Sequence, residues 1–173
     1  MNKPLTSSIL MGVGALCLII GSLSSMWMSK IENRMLVRAG LLEAQSCVWE
    51  VTLSDRGDTL QSDICSSLSY QSDTVPMQFH IGATVLFFFG TSAAALLFIG
   101  CISTLFRKRW EFMDRVTWLI LGQCMVGIII FLTAPRPEEL SSLTLGRGMA
   151  LYLIGGFAGL IGTLLPWYRD QES

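Results

Sequence analysis

Residues Ser46–Leu68 read SCVWEVTLSDRGDTLQSDICSSL and lie between two strongly apolar segments. At its centre, Asp55-Arg56-Gly57 predicts a three-residue hairpin turn, with glycine where the turn needs a positive φ. The first arm alternates apolar and polar residues and predicts a strand, whereas the second arm, Thr59–Ser66, is more polar and predicts a weaker one. Cys47 and Cys65 are equidistant from the turn, so folding there predicts a disulfide across the hairpin.

The composition indicates a single-domain membrane protein. Of 173 residues, 51% are hydrophobic and 14% are charged, against about 25% charged residues in a typical soluble domain. The net charge of −1 and the lack of a basic patch with interleaved aromatic residues argue against a nucleic-acid partner. Two of the five cysteines share one polar loop, which indicates an oxidising compartment. The other three lie within apolar segments: Cys17, Cys101 and Cys124.

Four apolar segments are long enough to cross a bilayer. They comprise residues 9–28, 81–105, 116–133 and 148–165, with connecting loops at 29–80 and 134–147. The first segment also fits a signal peptide, because Lys3 precedes it and small residues end it. We favour an uncleaved helix, because no clean cleavage site is present and the apolar run continues through Met26-Trp27-Met28. In the long loop, Ile31–Ala44 is compatible with either a helix or a short strand.

The distribution of positive charge predicts the topology. The densest cluster lies between the second and third spans and comprises Arg107, Lys108, Arg109 and Arg115. Positive loops remain in the cytosol. Both termini are therefore predicted to be cytosolic, and the loops at 29–80 and 134–147 are predicted to lie outside the cell. The cysteine pair independently places the long loop in an oxidising compartment. Together they predict a multi-pass membrane protein.

The spans carry packing signals but no recognisable chemistry. In the fourth span, Gly155/Gly159 and Ala158/Gly162 have the spacing of close helix contacts, which we assign to packing within the bundle. Gln123 is a large polar residue in mid-membrane and is predicted to hydrogen-bond a neighbouring helix. No Asp, Glu, Lys, Arg or His lies inside a span, and no catalytic or metal-binding motif occurs. We therefore expect no enzyme activity, cofactor, metal or small-molecule substrate.

The order of parts resembles the claudin and peripheral-myelin-protein superfamily, which includes the γ-type auxiliary subunits of ion channels. Trp27 follows the first span as in claudins, and Gly40-Leu41-Leu42, Cys47 and Cys65 stand where the family has its Gly-Leu-Trp, Cys and Cys signature. Gly148-Met149-Ala150-Leu151-Tyr152 is similar to the start of the fourth span in claudins. Leu42 replaces the signature Trp, and we hypothesise that Trp49 takes over its packing role.

The resemblance implies a left-handed four-helix transmembrane bundle carrying a small extracellular antiparallel β-sheet closed by the Cys47–Cys65 disulfide. The implied function is cell–cell adhesion or a paracellular barrier, at the plasma membrane or a cell junction, with the bilayer and other membrane proteins, or copies of itself, as partners. The alternative is an auxiliary subunit of a channel, receptor or other membrane complex. A third hypothesis is integrin recognition of Arg56-Gly57-Asp58 at the hairpin tip.

Overall fold

The computed structural model describes residues 3–32, 35–53, 59–69, 77–106, 111–135 and 144–165. Within these ranges the chain forms four long helices. They are α1 (Lys3–Leu23), α2 (Met77–Leu105), α3 (Glu111–Thr133) and α4 (Arg147–Leu164). Each contains a segment long and apolar enough to cross a membrane. By length and composition, the four helices mark the chain as a multi-pass membrane protein.

The first helix differs from the predicted span at both ends. It begins at Lys3 and ends at Leu23, so the prediction of a helix continuing to Met28 is wrong. Trp27 lies between helix and sheet, and Met28 begins the first strand. Both side chains are fully buried. Their apolar character therefore serves the junction between helix and sheet rather than a bilayer interface.

The helices form a bundle in which α1 packs against both α4 and α2, and α3 packs mainly against α2. The contact between α1 and α4 depends on close backbone approach. A Cβ atom on Gly14 would lie 2.8 Å from the backbone nitrogen of Gly159 and 2.9 Å from the carbonyl oxygen of Gly155. Only glycine fits there, as expected for helices that associate in lipid through small residues. Near the other end of this contact, Ser7 donates a 2.6 Å hydrogen bond to the carbonyl oxygen of Gly162.

Five antiparallel strands form one sheet at one end of the bundle. They are β1 (Met28–Glu32), β2 (Met35–Ala39), β3 (Glu43–Leu53), β4 (Thr59–Ser69) and β5 (Thr144–Leu145), in the order β4-β3-β2-β1-β5. Within the region 31–44, which the sequence left open between helix and strand, the described residues form the end of β1, all of β2 and the start of β3, with a turn at residues 40–42. The two-residue β5 comes from the loop before α4 and pairs with Met28 and Ser29. It was not predicted.

A continuous apolar core joins the sheet to the bundle. Its largest fully buried side chains include Trp27, Phe79, Phe131 and Tyr152. The sheet contributes Met28 and Ala39 to this core, and the turn between β2 and β3 contributes Leu41. Sheet and helices thus share one core, which fixes the sheet on the end of the bundle where α1 and α3 end and α2 and α4 begin.

Candidate functional site: the anchored sheet

The hairpin at the sheet edge has the predicted register. Cys47 lies directly opposite Cys65, and the two form a disulfide. The paired residues extend from Glu43 opposite Ser69 to Leu53 opposite Thr59, so both arms are longer than predicted. Closing a loop of this size is worth about 3 kcal/mol in the chain-entropy model. The predicted turn Asp55-Arg56-Gly57, and with it the tripeptide Arg56-Gly57-Asp58, lies outside the described residues.

Strand β4 is an edge of the sheet. It pairs with β3 along 11 residues, and no other described strand lies on its second side. An edge of this length presents unpaired backbone N–H and C=O groups to any strand that approaches it. Near its end, Cys65, Ser66 and Ser67 are exposed. The hairpin therefore offers a polar surface with backbone groups suited to pairing with another chain.

Trp27 fixes the sheet to the bundle. Its indole nitrogen donates a hydrogen bond to the carbonyl oxygen of Gly21 in the last turn of α1. Its backbone N–H donates to the carbonyl oxygen of Ala39 in β2, at 2.9 Å, and its own carbonyl oxygen accepts from the N–H of Gly146, at 2.7 Å. One residue therefore connects α1, the sheet and the start of α4.

Aromatic rings surround the Trp27 indole. It makes edge contacts with Phe131, at a ring-centroid distance of 5.7 Å, and with Tyr152, at 4.9 Å. Phe131 also packs against Phe79, at 4.7 Å. Phe131 belongs to α3, Tyr152 to α4 and Phe79 to α2. The indole therefore contacts α3 and α4 directly and is linked to α2 through one further ring. Such pairs add about 0.5–1.5 kcal/mol each beyond their buried area.

Tyr152 also connects α4 to α2. Its hydroxyl donates a 3.0 Å hydrogen bond to the carbonyl oxygen of Leu86. Gly90 makes room for the phenol, because a Cβ atom there would lie 2.7 Å from the Tyr152 hydroxyl oxygen and 2.7 Å from Ser22 Oγ. The motif residue identified by family resemblance therefore lies at the centre of the bundle beneath the sheet.

The Gly40-Leu41-Leu42 segment is the turn between β2 and β3. The Gly40 N–H donates a 2.9 Å hydrogen bond to the carbonyl oxygen of Glu43, and a Cβ atom on Gly40 would lie 2.8 Å from the carbonyl oxygen of Ser24. Leu41 is buried, but Leu42 is 55% exposed. The residue that stands in place of the family's Trp therefore does not enter the core. Trp49 lies in β3 opposite Asp63; its side chain lies outside the described residues, so its packing role stays a prediction.

The helix-packing residues occupy different environments. Gly155 and Gly162 contact α1, Gly159 contacts both Gly14 of α1 and Leu97 of α2, and Ala158 is half-buried. Gln123 is exposed on α3, and its amide takes part in none of the hydrogen bonds among the described residues. The predicted hydrogen bond from Gln123 to a neighbouring helix is therefore not present in that part of the chain.

The positive cluster is only partly visible. Arg115 is exposed in the second turn of α3, at the end of the bundle away from the sheet. Its predicted companions Arg107, Lys108 and Arg109 lie outside the described residues. Among the residues that are described, no three His, Cys, Asp or Glu side chains are placed to hold a metal ion.

Sequence reasoning missed several residues that hold the sheet in place. Phe79 lay in the predicted loop 29–80 and carried no special signal, and Phe131 lay in an apolar segment, where phenylalanine is equally consistent with contact to lipid. Gly146 was also missed, although its N–H pairs with Trp27 and a Cβ atom there would collide with the carbonyl group of Met26. An isolated glycine before an apolar segment was the only available signal.

Comparison with known proteins finds neither a matching family model nor a matching curated protein.

Proposed function

We propose that this protein is a claudin-like adhesion or barrier protein, whose sheet lies outside the cell and contacts neighbouring membrane proteins, including other copies of itself. The orientation is supported by the disulfide, which belongs in an oxidising compartment, and by Arg115 at the opposite end of the bundle. Both termini are then cytosolic, and the plasma membrane is the expected location.

The free edge of β4 is the observation that carries the proposal. Backbone groups along an unpaired edge bind an added strand without requiring a particular side-chain sequence. The disulfide prevents this edge from opening, and the Trp27 anchor fixes its position relative to the bundle. A rigid, polar edge suits lateral pairing between molecules, because little conformational entropy is lost when the contact forms.

Expression in cells that form no junctions of their own tests this function. We expect intramembrane strands in freeze-fracture images and a change in transepithelial resistance. Replacing Ser67 with lysine places a charge near the end of β4, where Ser67 is exposed, and lysine on an edge strand opposes edge pairing. Ser67→Lys should therefore reduce both effects, whereas the control Ser67→Thr, which suits a strand, should preserve them.

Absence of strands together with unchanged resistance would contradict the adhesion proposal. Affinity purification in mild detergent then distinguishes the alternative. Recovery of one larger membrane protein in fixed stoichiometry would indicate an auxiliary subunit of a channel, receptor or other complex. If instead the freeze-fracture images show intramembrane strands and the purification recovers this chain alone, the adhesion proposal is supported.

A further inference from the structure

One face of α3 has the spacing of a coiled-coil contact. Its residues alternate steps of four and three, which is the heptad pattern of two helices that wind around each other. We define them as the outward face of α3: Phe112, Val116, Leu119, Gln123, Val126, Ile130 and Thr133. Except for the half-buried Val116, all of them are exposed, with Leu119 at 70% and Val126 at 49%.

This face points away from the rest of the bundle. The buried residues of α3 include Leu121, Cys124 and Ile128. At 3.6 residues per turn, the line through Leu121 and Ile128 lies about half a turn around the helix from Leu119 and Val126. Because α3 packs mainly against α2, the outward face is left uncovered by the described part of the chain.

Gln123 makes this face more than an ordinary lipid-facing surface. At a rise of about 1.5 Å per residue, it lies about 18 Å from the start of α3 and about 15 Å from its end, in the middle of the membrane. Leucine and valine side chains are stable in contact with lipid hydrocarbon. An amide without a partner costs several kcal/mol there. The Gln123 amide at the centre of the face therefore needs a hydrogen-bond partner, and apolar side chains lie on both sides of it.

We propose that the outward face of α3 binds the same face of a second copy, so that two α3 helices pair in parallel around a Gln123–Gln123 hydrogen bond. An amide carries both a donor and an acceptor and is complementary to its own copy. Two copies in one bilayer have the same topology, so a two-fold axis along the membrane normal places both amides at the same depth. A single polar residue in an apolar heptad seam fixes register and partner number.

The glycine-rich contact of α4 does not compete with this pairing. Gly155 and Gly162 already pack against α1 inside the bundle. The proposed dimer also does not depend on the adhesion function, because it forms within a single bilayer and needs no opposing membrane. Its success or failure can therefore be measured separately from strand formation in cells.

Fluorescence energy transfer in lipid vesicles tests the proposal. The purified protein is labelled with donor and acceptor dyes and reconstituted in phosphatidylcholine vesicles at a series of protein-to-lipid ratios. Energy transfer should rise with protein density and saturate as expected for a dimer. Gln123→Leu should raise the ratio needed for half-dimerisation by roughly three- to tenfold, the effect of losing one hydrogen bond between helices in lipid. Gln123→Asn, which keeps the amide, should retain most of the dimer.

Thr91→Val is the matched control. Thr91 lies at the middle of α2, and its hydroxyl hydrogen-bonds the carbonyl oxygen of Phe87 in its own helix. Removing it should leave dimerisation unchanged, while an intact Cys47–Cys65 disulfide and a monodisperse elution profile confirm folding of every variant. A monomer at all densities, or a dimer that Gln123→Leu does not weaken, would overturn the proposal. So would a one-to-one complex with a different membrane protein that depends on Gln123.

Discussion

The indole nitrogen of Trp27 donates its hydrogen bond back to the carbonyl oxygen of Gly21, in the helix that the side chain has just left. The last carbonyl groups of a helix lack partners within it, and the Gly21 oxygen accepts from the Ser24 N–H, at 3.3 Å, as well as from the indole. The second bond orients the indole toward Phe131 and Tyr152. The end of α1 and the start of the sheet are therefore fixed by one side chain.

Trp27→Ala should destabilise the protein strongly. The side chain is fully buried, and removing a buried tryptophan costs about 3–5 kcal/mol. Trp27→Phe keeps much of the ring packing but loses the indole hydrogen bond to Gly21, at a cost of about 0.5–1.5 kcal/mol, because the Ser24 N–H still donates to that carbonyl oxygen. Thermal unfolding followed by loss of the monodisperse elution peak in detergent measures both. Leu42→Ala is the control, because the exposed Leu42 should contribute little; a loss equal to that of Trp27→Ala would contradict the anchoring role.

Two neighbouring glycines of α4 should respond oppositely to alanine. A Cβ atom on Gly155 would lie 2.7 Å from the backbone nitrogen of Leu18 and 2.8 Å from the carbonyl oxygen of Gly14. Gly155→Ala should therefore separate α1 from α4 at a cost of about 1–3 kcal/mol. A Cβ atom on Gly156 meets no atom within 4 Å among the described residues. Gly156→Ala should be neutral or stabilising by up to about 1 kcal/mol.

The same unfolding assay in detergent compares the two variants. Because they are adjacent in sequence and identical in chemistry, any difference reflects the distance between helices rather than helix propensity. Equal destabilisation by both would show that α1 and α4 do not approach as described.

Removing the disulfide should loosen the hairpin and spare the helices. Cys65→Ser opens the closed loop and should reduce the stability of the sheet by about 3 kcal/mol. Limited proteolysis should then cut within the β3–β4 hairpin while leaving fragments that contain intact α2, α3 and α4. Cys101→Ala, which removes a half-buried thiol of α2, is the control and should leave the hairpin resistant. Unchanged resistance in Cys65→Ser would mean that pairing with β2 alone holds the hairpin.

The hairpin could be predicted from the sequence, because the alternation of apolar and polar residues and the glycine of the predicted turn both indicated the same pairing. The hairpin register follows from an alternating arm, a glycine turn and two equidistant cysteines, each acting over a short range. The number of apolar segments and their approximate positions likewise followed from length and hydropathy. These signals are local, so a single sequence suffices to detect them.

What the sequence could not predict depends on contacts between distant residues. Apolarity alone did not distinguish Trp27 buried beneath a sheet from tryptophan at a bilayer interface, which is why α1 was predicted to continue past Leu23 to Met28. The same ambiguity concealed the role of Phe131, and Phe79 lay in the predicted loop. Gln123 was identified as unusual, but the face on which it lies depends on which side of α3 packs against α2, and hydropathy does not specify that.

The proposed orientation predicts which end of the protein can be labelled in intact cells. Thr144 is exposed in β5, at the sheet end of the bundle, so Thr144→Cys should react with a membrane-impermeant maleimide added outside. Ser173→Cys, at the C-terminus, should react only after permeabilisation, because the fourth span ends on the cytosolic side. The unaltered protein provides the background from its three free cysteines. Labelling of Ser173→Cys without permeabilisation would show that the topology is the reverse of the one proposed. The disulfide-closed sheet would then lie inside the cell, where a stable disulfide is not expected.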